Sequence, residues 1–257
     1  FAIFPFFACG QEKATNFYNQ SISELKINNY DKAIADFTKA INLNTNYVAA
    51  YDDRSFAKER KGDYDGASAD VAKAIQLNPH YAPAYNHRGI IKEDKKDYDG
   101  ALADYDTALK LDPKFWKPYV NIGNINLKQK DYDNAIANYT RAIKLDKDNF
   151  WRANCYYGRG LAKMKKGDEA GAIADFTSAI KQNPKDADAY SGRGEIERTK
   201  ADYDDAITDY NHAIELNPKS AFAYCGRGNA KVGNYDDDGA IVDYTKAIEI
   251  SPKYRWA

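Results

Sequence analysis

A period of 34 residues constrains this chain more than any other feature. The stretch 82–115, APAYNHRGIIKEDKKDYDGALADYDTALKLDPKF, carries Tyr85, Gly89, Tyr98, Ala101, Tyr105, Ala108 and Pro113 at its positions 4, 8, 17, 20, 24, 27 and 32. Stepping by 34 returns the same residue types over 14–47, 48–81, 82–115, 116–149, 153–186, 187–220 and 221–254, with Phe150, Trp151 and Arg152 inserted once at 150–152. Position 20 is Ala33, Ala67, Ala101, Ala135, Ala172, Ala206 and Ala240, and position 27 is Ala40, Ala74, Ala108, Ala142, Ala179, Ala213 and Ala247. Position 4 is always aromatic: Phe17, Tyr51, Tyr85, Tyr119, Tyr156, Tyr190 and Tyr224. A fixed period of this length marks a repeat array, so the 257 residues read as one continuous domain over 14–254.

Each copy reads as two helices. Apolar residues fall near positions 4, 8, 9 and 10, then at 20, 21, 24, 27, 28 and 30, which are helical spacings and not the alternation of a strand. Between them stands a turn such as Gly62-Asp63-Tyr64-Asp65, whose first Asp is a suitable N-cap for the second helix. The second helix is expected to stop at Asn-Pro or Asp-Pro (78–79, 112–113, 183–184, 217–218), because the residue before proline avoids the helical region. One such hairpin cannot bury its apolar face alone, so copies must stack.

The skeleton of aromatic-4, Gly-8, aromatic-17, Ala-20, aromatic-24, Ala-27 and Pro-32 resembles the tetratricopeptide repeat. Departures are few: Ser21 and Thr45 in copy one, Ser55 and Val71 in copy two, Lys147 in copy four, and Tyr235 two positions early in copy seven. The resemblance implies an all-α, right-handed superhelical solenoid of seven antiparallel helix pairs. Its concave face would be lined by first helices, and it would bind partners without catalysing reactions. Positions 2, 5, 9, 12 and 13 face the groove in this family, which makes Tyr18, Ile22, Asn86, Ile90, Tyr157 and Leu161 candidate lining residues. The Lys/Asn arrangement that clamps a chaperone's C-terminal carboxylate in some relatives is missing. The aromatic group Phe115, Trp116, Phe150 and Trp151 is either a partner patch or packing between copies.

Charge and cysteine usage narrow the function classes. Lys+Arg number 37 and Asp+Glu 38, a net charge of −1, which gives no electrostatic case for nucleic acid. No internal stretch approaches the length of apolar sequence that spans a bilayer. Cys9, Cys155 and Cys225 are scattered and odd in number, so neither a disulfide framework nor a metal site is expected, and no cofactor is implied. His80, His87 and His212 stand apart in phase, with no nucleophile motif and no phosphate-cradling loop, so the expectation is a non-enzyme. The run from Asn234 to Gly239 begins like a calcium loop, but its twelfth position is Thr245 where Glu is required.

Arg stands at position 7 in five copies (Arg54, Arg88, Arg159, Arg193, Arg227), and the same five have Asp at position 23 (Asp70, Asp104, Asp175, Asp209, Asp243). Copy four has Ile122 and Asn138 instead, and copy one sets Gln20 against Asp36. This co-change points to an ion pair between the two helices of a copy, in which the Arg fork suits a carboxylate.

The two ends suggest assembly. Residues 1–13 open with FAIFPFFACG, in which Phe6 to Gly10 looks like the end of a bacterial lipoprotein signal, with Phe where Leu is usual. A secreted, cell-envelope or extracellular setting is therefore expected over a cytoplasmic one. Phe1, Ile3, Phe4, Phe6 and Phe7 need cover, and Arg255, Trp256 and Ala257 look like the start of an eighth copy at 255–257. The expectation is that these residues, with Tyr254 and Trp256, join one chain to the next head to tail as a homo-oligomer or filament. The alternative is a monomeric adaptor that holds a protein segment in its groove.

Overall fold

The computed structural model describes residues 4–146 and 151–252, with side chains described from residue 10 onward. Among the described residues there are fourteen α-helices and no strand. In chain order they are α1 (Phe4–Lys26), α2 (Tyr30–Leu43), α3 (Val48–Arg60), α4 (Tyr64–Leu77), α5 (Ala82–Asp94), α6 (Tyr98–Leu111) and α7 (Trp116–Lys128). There follow α8 (Tyr132–Leu145), α9 (Arg152–Lys166), α10 (Glu169–Gln182), α11 (Ala187–Thr199), α12 (Tyr203–Leu216), α13 (Ala221–Gly233) and α14 (Asp237–Ile250). They form two compact units, Phe1–Asn121 and Ile122–Ala257, the division falling inside α7. Within each unit a helix packs on the next in sequence.

The turn inside each copy is built the same way seven times. Position 15 takes the left-handed conformation in every copy: Asn28, Gly62, Lys96, Lys130, Gly167, Ala201 and Tyr235, with φ between 57° and 83°. The next N–H then reaches back five residues, as from Asp63 to the Lys58 carbonyl (2.9 Å) and from Asp202 to that of Glu197 (2.9 Å). This is the Schellman closure of a helix end. The expected N-caps form at Asp63, Asp97, Asp131, Asp168 and Asp236, whose carboxylates accept the N–H three residues on. Asn29 and Asp202 sit at the same place without a side-chain cap bond.

Second helices stop for a reason the Asn-Pro reading only half contains. The C-cap residue is extended at Asn44, Asn78, Asp112, Asn183 and Asn217. Its Oδ1 accepts the N–H two residues on, at 2.9–3.2 Å. Asn44 does this beside Thr45, so the Asx turn ends the helix whether or not proline follows.

The core repeats with the sequence. Every position-20 and position-27 alanine is buried, which lets the two helices of a hairpin approach, and the ring at position 24 fills the gap. Phe37, Tyr105, Tyr139, Phe176 and Tyr210 are fully enclosed. Where position 8 is glycine the ring lies close against it: a Cβ on Gly89 would lie 2.5 Å from Tyr105 Cε1. Of the inserted residues, Arg152 opens α9 and donates to the Asp146 carbonyl (2.8 Å and 3.1 Å).

Candidate functional site

Within each unit the first helices present positions 2, 5, 6, 9, 12 and 13 on one face, and each unit lines its own with different chemistry. In the first unit, position 5 of one helix bonds position 6 of the next. Tyr18 Oη donates to Asp53 Oδ2 (2.6 Å), His87 Nδ1 meets Asp52 Oδ1 (2.7 Å), and Asn121 Nδ2 donates to Asn86 Oδ1 (3.0 Å). In the second unit position 6 is glycine, and the ring of the preceding copy fills the space. A Cβ on Gly158, Gly192 or Gly226 would fall 2.5, 2.8 or 2.3 Å from Tyr139, Phe176 or Tyr210. The Gly-Arg-Gly runs thus seat two rings, one from each neighbouring second helix.

In the second unit this packing leaves an opening of about 480 Å³ lined by Lys165 of α9, Glu195 and Arg198 of α11, and Phe222, Cys225, Gly226 and Asn229 of α13. Arg198 grips Glu195 through two bonds (3.0 Å and 2.7 Å), and Tyr210 Oη donates to the same carboxylate (2.8 Å). Burial pushes the Glu195 carboxyl up, but the bonds from Arg198 and Tyr210 outweigh it and hold it below its ordinary range. Tyr210, buried beside that charge, is pushed well up. Lys165 and Arg198 against Glu195 leave one positive charge in excess. Phe222 is 44% exposed and stands edge-on to the buried Tyr210 (6.5 Å, 71°). Burial raises the Cys225 thiol, which is unsuited to act as a nucleophile. An exposed ring beside Lys165 and Arg198 suits an apolar side chain that carries a carboxylate close by.

The groove residues expected from phase alone divide. Tyr18 and Ile22 pack, half-buried, on Ala33, Phe37, Ile41 and Ala50, while Tyr157 and Leu161 pack on Ala172, Phe176 and Ile196. Asn86 is buried in its bond to Asn121, and Ile90 lines a shallow cleft with Phe56, Glu59 and His87. Phe222 and Arg198 occupy groove phases 2 and 12; their signal in the sequence is only an aromatic and an arginine where other copies have Thr15, Pro83 or Leu25. Phe115 and Trp116 are half-buried and Trp151 is exposed. Phe150, Phe1, Ile3, Tyr254 and Trp256 lie outside the described residues, as do the side chains of Phe4, Phe6 and Phe7.

The Arg–Asp pairs are internal braces. Arg54, Arg88, Arg159, Arg193 and Arg227 each hold Asp70, Asp104, Asp175, Asp209 and Asp243 through Nε and Nη2, at 2.5–2.9 Å. Four of these guanidinium groups also donate Nη1 to the preceding copy, at Thr38, Thr140, Thr177 and Asn211. In copy four Asn138 donates to the Asn134 carbonyl instead, and in copy one Asp36 takes Lys39. In the turn at Asn234, Asp236 caps α14 through the Gly239 N–H and Asn234 donates to Asp204. Among the described residues no three His, Cys, Asp or Glu side chains gather to hold a metal. No helix of the described chain is long and apolar enough to cross a membrane.

Family models of the tetratricopeptide repeat match residues 14–47, 82–115, 116–149 and 157–221. The solved structure of MamA is 30% identical, over 64% of this chain and 95% of that one, with a TM-score of 0.59. This chain belongs to the tetratricopeptide repeat family. YrrB, described as a TPR protein with an unusual peptide-binding site, matches at 23% identity and TM-score 0.61, over 72% of this chain and 93% of its own. PilF of Pseudomonas aeruginosa matches at 17% and 0.73, over 80% and 92%. Both share the fold. No curated protein matches the sequence. As a tetratricopeptide repeat array, the chain is a scaffold for protein interaction.

Proposed function

We propose that this tetratricopeptide repeat protein holds an extended protein segment on its first-helix face, anchored in the opening around Phe222. The observation that carries this reading is a half-exposed aromatic ring lining an opening of about 480 Å³ together with Lys165 and Arg198. The preferred segment places a leucine-like or aromatic residue on Phe222 and a carboxylate within reach of the two cations. Arrayed twelve-residue peptides binding to the whole protein test this. Binders should share an apolar–acidic pair, and Phe222→Ala should weaken the best of them about tenfold, the size of a modest hot spot. Binders with no such pair, or unmoved by Phe222→Ala, would sink the reading.

End-to-end association stands as a second proposal. It has one observation in its favour: Ile241 of α14 is 62% exposed where the same phase in earlier copies is half-covered, and beside it Val242, 66% exposed, stands where the earlier copies expose only Ala or Thr. Against it, the corresponding edge of α1 is polar and exposed at Asn16, Asn19, Gln20 and Ser23, a poor match for an apolar face. Light scattering at high concentration separates the proposals, since a monomer excludes the second. The apolar composition of residues 1–10 supports a secreted or cell-envelope setting, which fractionation of cells making the protein would test.

A further inference from the structure

The first unit presents opposite chemistry on its own first-helix face. Asp52, Asp53 and Glu59 of α3 and Asp94 at the end of α5 gather around Phe56 and His87. Asp52 and Asp53 each have a cationic or hydroxyl partner: Asp52 holds His87, and Asp53 takes the Tyr18 hydroxyl. Glu59 instead lies in hydrogen-bond contact with the Asp94 carboxyl, and burial first, then this acidic neighbour, push it up. Its side chain is 9% accessible and lines a cleft with Ser55, Phe56, His87, Ile90 and Ile91, and its Oε2 has no hydrogen-bond partner. A buried carboxylate oxygen without a donor is costly, and it marks a place where a donor from outside would be welcome.

The chain itself shows what kind of donor fits. Arg60 lays its guanidinium over the Phe56 ring (5.1 Å to the centroid) and points Nε at Glu59 Oε2, but stops at 3.6 Å. That distance is beyond a hydrogen bond, and the Arg60 side chain is half exposed. His87 stacks on the same ring (5.8 Å), completing a wall of flat groups. A planar cation entering from solvent can lie on Phe56, donate to Glu59 Oε2 and reach Asp94, displacing Arg60 outward. An ammonium group could satisfy the charge but not the stacking.

We infer that this cleft is a recognition site for an arginine side chain of a bound polypeptide. The inference shares with the proposed function only the premise that first-helix faces receive polypeptide, and its site lies wholly in α3 and α5. It is therefore tested with a probe that ignores Phe222. N-acetyl-arginine methylamide, titrated into the ¹⁵N-labelled full chain, should shift the backbone amides of Phe56, Glu59, His87 and Ile90 with millimolar affinity. Glu59→Gln should weaken this about tenfold, as the loss of one charge-assisted contact does. Arg60→Ala should tighten it severalfold by removing the internal competitor. The citrulline analogue, isosteric and uncharged, should leave the amides still. Equal shifts with citrulline, no shifts with arginine, or a Glu59→Gln variant that is natively folded by circular dichroism and binds as well would each overturn the inference. Loss of binding in Phe222→Ala would count against the proposed function's independence from this site, and unchanged binding is the expected result.

Discussion

Copy six departs from its neighbours at a single residue with a measurable consequence. Position 11 is Lys58, Lys92, Lys163 and Lys231 in four copies, and each ammonium reaches the position-23 carboxylate at 2.8–2.9 Å. In copy six the same place holds Glu197, facing Asp209, with one oxygen lacking a hydrogen-bond partner. Burial first, and the Asp209 charge next, push the Glu197 carboxyl up to about 7 from its ordinary 4.5. A raised acid binds its proton more tightly in the folded protein than in the unfolded chain. Its contribution is therefore complete below about pH 4.5 and is lost as pH climbs through about 7. Glu197→Lys should raise stability at pH 8 by on the order of 1 kcal/mol after solvent screening, and by much less at pH 5, as thermal melts at the two pH values would show. The Arg braces differ among themselves in the same way. Arg159 has three side-chain contacts and is 16% accessible, whereas Arg88 lacks the Nη1 partner, because position 25 of the preceding copy is Ala72, and is 37% accessible. Arg159→Ala should lower stability by about 2 kcal/mol and Arg88→Ala by about half that, measured by denaturant midpoint.

At the scale of the element, each hairpin depends on one residue in the left-handed region, and the later ones also on glycines that admit a ring. Ala201 occupies the left-handed position with a Cβ that crowds the following carbonyl, at φ 65°. Ala201→Gly should therefore stabilise by about 1 kcal/mol, visible as a rise of a few degrees in melting temperature. The opposite change at Gly226 should be costly. A Cβ there would meet Tyr210 Cζ at 2.3 Å, and Tyr210 cannot withdraw, being fully enclosed and bonded to Glu195. Gly226→Ala should cost about 1–3 kcal/mol, as overpacking does. It should also displace Phe222, which leans on Tyr210, so peptide binding would fall with stability.

At the scale of the whole molecule, the two units carry separate cores on a shared repeat. Stability in such an array is a sum over copies and their immediate neighbours. Gly226→Ala is therefore expected to speed hydrogen exchange in α12 and α13 while leaving protection in α2 to α4 unchanged. A uniform loss of protection across both units would show a single cooperative transition instead. The first-helix faces also differ in charge: the first unit gathers Asp52, Asp53, Glu59 and Asp94, and the second sets Lys165 and Arg198 beside Phe222. Formal net charge, at −1, conceals this separation.

The sequence by itself determined the helices, their number and the pairing of Arg-7 with Asp-23. Each is repeated in phase or marked by a shared exception: Ala33 to Ala240 and Ala40 to Ala247 can only be spacing residues, and Ile122 changes together with Asn138. It did not determine the groove. Tyr18, Ile22, Tyr157 and Leu161 occupy groove phases, yet their size draws them onto the cores of neighbouring second helices. Phe222 holds the same kind of phase and stays open to solvent. The Lys-11 contacts left no co-change to read, since Glu197 faces Asp209 where Lys is expected, and the links from position 5 to position 6 join side chains 35 residues apart whose meeting depends on how the helices pack. Which side chain is consumed by packing and which is left for a partner is a property of three-dimensional contact, and only the tertiary structure decided it.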